Sequence, residues 1–127
     1  MTHDEFIAAL EAAEEPSREL DAEIYCWLEM KAGHSASVVA GAGAITYSCC
    51  SNIWFAAPRY TASIDASETL RLPGWVISVH QREETSIYQC SVASPPNPTG
   101  NNWVITARHK LEPIARTIAW LKARQHV

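Results

Sequence analysis

The feature that most constrains the fold is a stretch of regular alternation in the second half of the chain. Apolar and polar residues alternate over 75–80 and again over 87–92, with a polar turn at 82–86 between them. Successive side chains of a strand point to opposite faces, so this pattern is typical of an antiparallel hairpin with one buried face. A Pro-Gly pair precedes the hairpin, and a loop rich in Pro and Asn, 94–102, follows it.

Helical spacing dominates both ends of the chain. Thr2 can cap a first helix, and Ser17 can cap a second that continues to about Lys31. A short helix capped by Thr61 or Ser63 is expected to end near residue 72. Towards the C-terminus, apolar residues recur at helical spacing and predict a buried stripe, formed by Leu111, Ile114, Ala115, Ile118 and Leu121.

The order of these elements predicts an α/β (α+β) fold, with about four antiparallel strands layered between helices as an α-β-α sandwich. A length of 127 residues suits one ordinary domain, and we expect a single domain over 1–127. Further strands are expected at 45–50 and 52–57. The segment 32–44 is rich in Gly, Ala and Ser, which predicts a flexible loop.

Composition argues against several classes of protein. The net charge is −4 and Lys and Arg are not clustered, so direct binding to nucleic acid is not expected. No apolar run approaches the ~20 residues that cross a bilayer. The acidic N-terminus lacks the pattern of a signal peptide, which favours a cytoplasmic location. Cysteines in that compartment are expected to be reduced.

Catalytic and metal-binding patterns are weak. Cys49 or Cys50 with His80 would supply a thiol and a base, but nothing in the sequence indicates an activated thiol. The same residues with Cys90 and His109 lack the short, paired spacing of structural zinc ligands. We therefore predict no catalytic residues, no metal, no cofactor and no enzymatic activity.

Aromatic residues are the best candidates for binding. The chain has five tryptophans, and Trp54 lies close to Arg59 and Tyr60 in the densest aromatic and basic cluster. Trp103 begins a predicted strand, where an exposed ring can stack on a base or anchor a partner. Core packing is the competing interpretation for each ring.

Two charged residues complete the candidate set. Asp65 lies in the first turn of the short helix, where a carboxylate can either stabilise the helix or contact a ligand. Arg108 belongs to the basic triplet 108–110, which is either an anion site or a solvated connection into the last helix.

Several segments resemble the phage ABA sandwich domain family. The resemblance lies in the acidic opening at 11–24, in Pro-Arg-Tyr-Thr-Ala-Ser-Ile-Asp-Ala at 58–66 with Leu70 downstream, in Pro-Gly-Trp at 73–75, and in the Ala- and Leu-rich close at 115–124. It covers the chain from about residue 11 to 125. It implies a small α-β-α layered protein of phage or prophage origin, located in the cytoplasm of a host cell, and it carries over no catalytic residues.

Three functions are compatible with the sequence. The first is a phage accessory protein that binds a host protein without catalysis and inhibits an anti-phage defence effector. The second is a small-ligand module, such as a sponge for a nucleotide signal. The third is a small enzyme. The sequence leaves the oligomeric state open, and a homo-oligomer is compatible with it.

Overall fold

A computed structural model describes residues 2–34, 36–39, 43–47 and 54–125 of the chain. Contacts between residues divide it into two compact units, Met1–Ala62 and Ser63–Val127. The single domain predicted for 1–127 stays a prediction.

The first unit contains two helices and a small sheet. The helices are α1 (His3–Ala12) and α2 (Arg18–Lys31), and the strands are β1 (Ala36–Val38), β2 (Ala44–Tyr47) and β3 (Trp54–Ala56). The strands pair antiparallel in the order β1-β2-β3. Helix α2 packs against β1 and β2.

The caps of the first two helices are the ones that the sequence predicts. The Thr2 hydroxyl accepts a hydrogen bond from the Glu5 amide at 3.2 Å, and the Ser17 hydroxyl accepts one from the Leu20 amide at 3.3 Å. Each bond satisfies a backbone donor that the first helical turn leaves without a partner. Between α2 and the sheet lies a core of small and apolar side chains, made of Ala22, Cys26, Ala36, Ile45 and Ala57.

The second unit contains the predicted hairpin. Its elements are α3 (Ile64–Glu68), β4 (Val76–Gln81), β5 (Tyr88–Ala93), β6 (Val104–His109) and α4 (Glu112–Arg124). The strands form an antiparallel sheet in the order β4-β5-β6. Helix α4 packs on β5, β6 and α3.

The buried stripe of the last helix is confirmed. Ile114, Ile118 and Leu121 are all at most 1% exposed, and Trp120 is fully buried beside them. Arg116 lies on the less buried side of α4 and forms two ion pairs. Its Nη1 is 2.6 Å from Glu68 Oε1 on α3, and its Nε is 3.0 Å from Glu112 Oε2 on α4. This ion-pair network fixes α3 against α4.

The mixed α+β class, with antiparallel strands and layered helices, is confirmed, but the strands are divided between two sheets. Instead of one sheet of about four strands, the described residues form two three-stranded sheets. The strand β1 lies inside 32–44, where a flexible loop was predicted. Its short, small-residue sequence carries no strand pattern, and pairing with β2 is what makes it a strand. The α-β-α order of layers stays a prediction.

Other boundaries differ in detail. Helix α3 ends at Glu68 rather than near residue 72. Its cap is Ser63, whose hydroxyl accepts from the Ala66 amide at 3.1 Å, while Thr61 is buried and bonds elsewhere. The loop predicted at 94–102 is confirmed. Residues 48–50, predicted as strand, lie outside the described part of the chain. No helix among the described residues is long and apolar enough to span a membrane.

Candidate binding site on the second sheet

The sheet of the second unit has one buried face and one exposed face. Strand alternation sends Cys90, Val92 and Ala107 toward α4, where they are buried. The opposite side chains form what we call the outer face. All those on the edge strands β4 and β6 are exposed, and those on β5 are half-buried. The outer face consists of Val76, Ser78, His80, Gln89, Ser91, Ala93, Val104, Thr106 and Arg108.

The strand register orders the outer face into three rows of different chemistry. The first row is apolar and pairs Val76 with Ala93 and Ala93 with Val104. The second carries only hydroxyls, on Ser78, Ser91 and Thr106, and the last two are 3.1 Å apart. The third is polar to basic, formed by His80, Gln89 and Arg108. None of the nine residues is acidic.

The apolar row is unusual for an exposed surface. Val76 is 59% exposed and Val104 is 61% exposed, and the adjacent Trp103 is 60% exposed. Large apolar side chains that cluster on a surface are typical of interaction sites, whereas isolated ones are ordinary. The first row and Trp103 are therefore the strongest indication of a site in the described residues of this unit.

A groove opens beside Trp103. It has a volume of about 460 Å³, which lies within the range of small-molecule sites. Trp75, which is 5% exposed, also lines it. We call this cavity the Trp103 groove; its lining is Trp75, Ser94, Pro95, Asn97, Asn101, Asn102 and Trp103.

Hydrogen bonds hold the loop that walls the groove. The side-chain carbonyl of Asn97 accepts from the Thr99 amide at 3.0 Å, from the Thr99 hydroxyl at 2.7 Å and from the Asn101 amide at 2.9 Å. At the base of the loop, Ser94 and Trp103 exchange bonds, with Ser94 N donating to Trp103 O and Trp103 N donating to the Ser94 hydroxyl. Hydrogen bonds within the loop therefore hold the wall of the groove in place.

Of the six residues proposed from sequence, two lie near this site. Trp103 lines the groove, and it immediately precedes Val104 of the apolar row in the chain. Arg108 lies at the far end of β6, exposed, with its Nε donating to the Gln89 side chain at 3.0 Å. Only two members of the basic triplet are exposed, Arg108 and Lys110. His109 between them is buried, and its Nδ1 accepts from the Leu111 amide at 2.9 Å.

The other four candidates are not part of the outer face. Asp65 is exposed in the first turn of α3 and Arg59 is exposed in the first unit. The Tyr60 ring is 3% exposed, so it is a core residue and not the surface anchor that the sequence predicted. The side chain of Trp54 lies outside the described residues.

A buried ionic network in the first unit was not expected from sequence. The carboxylate of Asp21 is fully buried and accepts from the Thr61 amide at 2.9 Å, the Thr61 hydroxyl at 2.8 Å and Arg18 Nη1 at 2.7 Å. Arg18 Nη2 also donates to the Ala57 carbonyl at 2.7 Å. The buried carboxylate thus has hydrogen-bond donors on both oxygens. The network links α2 to Ala57 and Thr61 near the C-terminal end of the first unit, and we interpret its role as structural.

The described thiols are not activated. Cys26 and Cys90 are free and buried, and burial raises the pKa of each to about 11. Both are therefore protonated at neutral pH and are poor nucleophiles. Cys49 and Cys50 lie outside the described residues, and His80 is exposed on the outer face. In the part of the chain that the structure describes, no three His, Cys, Asp or Glu side chains are placed to hold a metal ion.

Sequence reasoning missed the two valines of the apolar row. The signal was present, because Val76 begins β4 on the side that otherwise carries Ser78 and His80. A single outward-facing apolar residue does not indicate a binding site unless the neighbouring strand places another apolar residue opposite it. The sequence alone does not give this strand register.

No family model, no curated protein and no solved structure matches this chain. The resemblance to the phage ABA sandwich domain family stays a prediction.

Proposed function

We propose that this chain is a phage or prophage accessory protein that acts without catalysis, by binding a host protein and inhibiting an anti-phage defence system. One observation carries the binding part of the proposal, namely that the apolar row of the outer face is exposed, as is Trp103, which precedes Val104 in the chain. The phage origin and the host target rest on the sequence resemblance described above.

The size of an ordinary interface predicts how much of the outer face takes part. A stable complex buries about 800 Å² on each partner. One row of two valines and an alanine is too small for this, so the contact would extend over the hydroxyl row. Apolar and aromatic anchors commonly supply most of the binding energy, with polar residues around them. Trp103 and Val104 are the expected anchors.

Charge indicates the chemistry of the partner. Met1–Ala62 carries nine acidic residues against three Lys or Arg, whereas Ser63–Val127 carries five against seven. The acidity of the chain thus belongs to the first unit, and the outer face lies on a net basic one. A partner that docks on the outer face is expected to be apolar at its centre and neutral to acidic at the side that meets Arg108.

The test uses a charge placed in the apolar row. Cells carrying individual defence systems would express the wild-type protein, Val104→Asp, or the matched control Met30→Asp, and would then be challenged with phage. Met30 is 64% exposed on α2 and is not a residue of the outer face, so it makes an equivalent apolar-to-acidic change in the other unit. We expect wild type and Met30→Asp to restore plaques against one system, and Val104→Asp to lose this effect by about tenfold or more.

Binding to the purified effector of that system should follow the same order. Loss of a true anchor costs at least ~2 kcal/mol of binding free energy. Thermal melting of each variant would show that the fold is retained. The proposal fails if no system is relieved, if Val104→Asp is as active as wild type, or if the purified protein turns over a metabolite.

A further inference from the structure

We propose that the Trp103 groove is a second, independent site, which binds the uncharged base of a nucleoside or nucleotide and leaves any phosphate outside. Val76 and Val104 do not line the groove, and Asn101 and Asn102 are not part of the outer face. The two proposals therefore depend on different residues, apart from Trp103.

The lining is suited to a flat ring with hydrogen-bonding edges. Trp103 offers an exposed aromatic surface on which a base can stack, and such stacking tolerates any base because each has a π face. The amides of Asn101 and Asn102 add donors and acceptors, and an asparagine amide can pair with the edge of adenine through both its groups. Together these groups cover both the face and the edge of a base.

Charge excludes the phosphate from the groove. None of the seven lining residues is Lys, Arg, Asp or Glu, and the Arg71 guanidinium near Trp75 already donates to the Trp75 carbonyl, from Nε at 3.3 Å and from Nη2 at 3.1 Å. A phosphate would therefore lose its hydration in the groove without gaining a cation from the lining. The exposed Arg108 is four residues along β6 from Val104, or about 13 Å at the rise of a strand. Affinity should therefore come from the base and not from the phosphate.

The groove is already shaped for a ligand. The bonds that Asn97 accepts from Thr99 and Asn101, and the exchange between Ser94 and Trp103, fix the wall before anything binds. A loop that needs no ordering on binding loses less conformational entropy, which favours a small ligand. The Asn97 side-chain carbonyl accepts three bonds within the loop, and Asn101 Nδ2 donates to the Thr99 hydroxyl at 3.3 Å. The amide of Asn102 is therefore the better candidate for ligand contact.

Titration of the full chain with adenosine, guanosine, cytidine and uridine, followed by tryptophan fluorescence and calorimetry, tests the proposal. We expect saturable binding of at least one nucleoside, and its 5′-monophosphate should bind within about fivefold of the same affinity. Trp103→Ala should weaken binding by about tenfold or more. Asn102→Ala should weaken it measurably. Ile64→Thr, at an exposed position of α3 that belongs to neither the groove nor the outer face, should leave it unchanged.

Four results would overturn the proposal. The proposal is overturned if none of the four nucleosides saturates the protein at millimolar concentration, or if Asn102→Ala binds as tightly as wild type. It is overturned as well if the monophosphate binds more than fivefold tighter than the nucleoside, or if methyl glucoside binds and no nucleoside does. Melting curves of both variants establish folding, and if Trp103→Ala fails to fold, Asn102→Ala alone decides.

Discussion

Asp21 is a carboxylate that the fold removes from solvent and satisfies with three donors from Thr61 and Arg18. A buried charge is tolerated only when such partners are present, since its desolvation costs several kcal/mol. The network therefore makes the first unit dependent on the identity of single residues.

Replacing Asp21 with Asn should be strongly destabilising. The change removes the negative charge that Arg18 faces at 2.7 Å and places an amide donor among groups that need an acceptor. Breaking a buried ion pair in this way costs about 3–5 kcal/mol. Urea denaturation measures the loss, and Asp65→Asn, the same change at an exposed position, is the control and should cost much less. Equal losses in the two variants would show that the network contributes nothing.

Cys90 should make stability depend on pH in the alkaline range. Burial raises its pKa from 9.0 to about 11, and of the nearby charges Arg116 lowers it while Glu112 and Glu68 raise it. The unfolded thiol loses its proton first, so the free energy of unfolding should fall as the pH rises from about 9 to about 11. Denaturation of wild type and Cys90→Ala over that interval measures the effect. The variant is less stable throughout, because it leaves a cavity, but its loss with pH should be smaller, and identical slopes would contradict the prediction.

At the scale of elements, the second unit depends on the contact between α4 and the sheet. Ile118 is 1% exposed in the middle of this contact. Replacing it with Ala should cost a few kcal/mol, because apolar contacts are lost and a cavity remains. Ile64→Ala, at an exposed position of α3, is the matched control. Indistinguishable melting curves for wild type and Ile118→Ala would refute the assignment of the buried stripe.

Gly74 joins α3 to β4 and supports the loop that walls the Trp103 groove. Its φ is +80°, and an added Cβ would meet Pro95 Cγ at 3.0 Å. Gly33 has a similar φ of +89°, but nothing lies within 4 Å of its added Cβ. Comparing the two alanine variants therefore separates the cost of backbone strain from the cost of the close contact with Pro95. Gly33→Ala should cost about 1–2 kcal/mol from strain alone, and Gly74→Ala should cost more. Denaturation compares the two, and an equal cost would mean that Pro95 yields freely.

At the scale of the whole molecule, charge is divided unevenly along the chain. The first unit is net acidic and the second is net basic, so the overall value of −4 describes neither. A prediction about partners drawn from the total charge alone would therefore expect the wrong sign on the outer face.

Reductant should leave the melting temperature of the whole chain unchanged. Cys26 and Cys90 are free, and Cys49 and Cys50 are neighbours in sequence, too close for an ordinary disulfide between them. Melting with and without dithiothreitol measures this. A fall of several degrees would reveal a disulfide that contributes to stability.

The sequence by itself determined the elements with strong local signals. Caps at Thr2, Ser17 and Ser63 satisfy backbone donors within three residues, so they can be recognised without any tertiary contact. The hairpin and the stripe of α4 follow from periodicities of two and of about 3.6 residues. The loop at 94–102 follows from its content of Pro and Asn.

Only the tertiary structure decided which residues gather into a site. Pairing through β5 brings Val76 opposite Ala93 and Ala93 opposite Val104, although 28 positions separate the two valines along the chain. Burial of Tyr60, the ionic network of Asp21 and the strand at Ala36–Val38 arise in the same way. These features depend on contacts between residues distant in sequence, and local propensity carries no information about them.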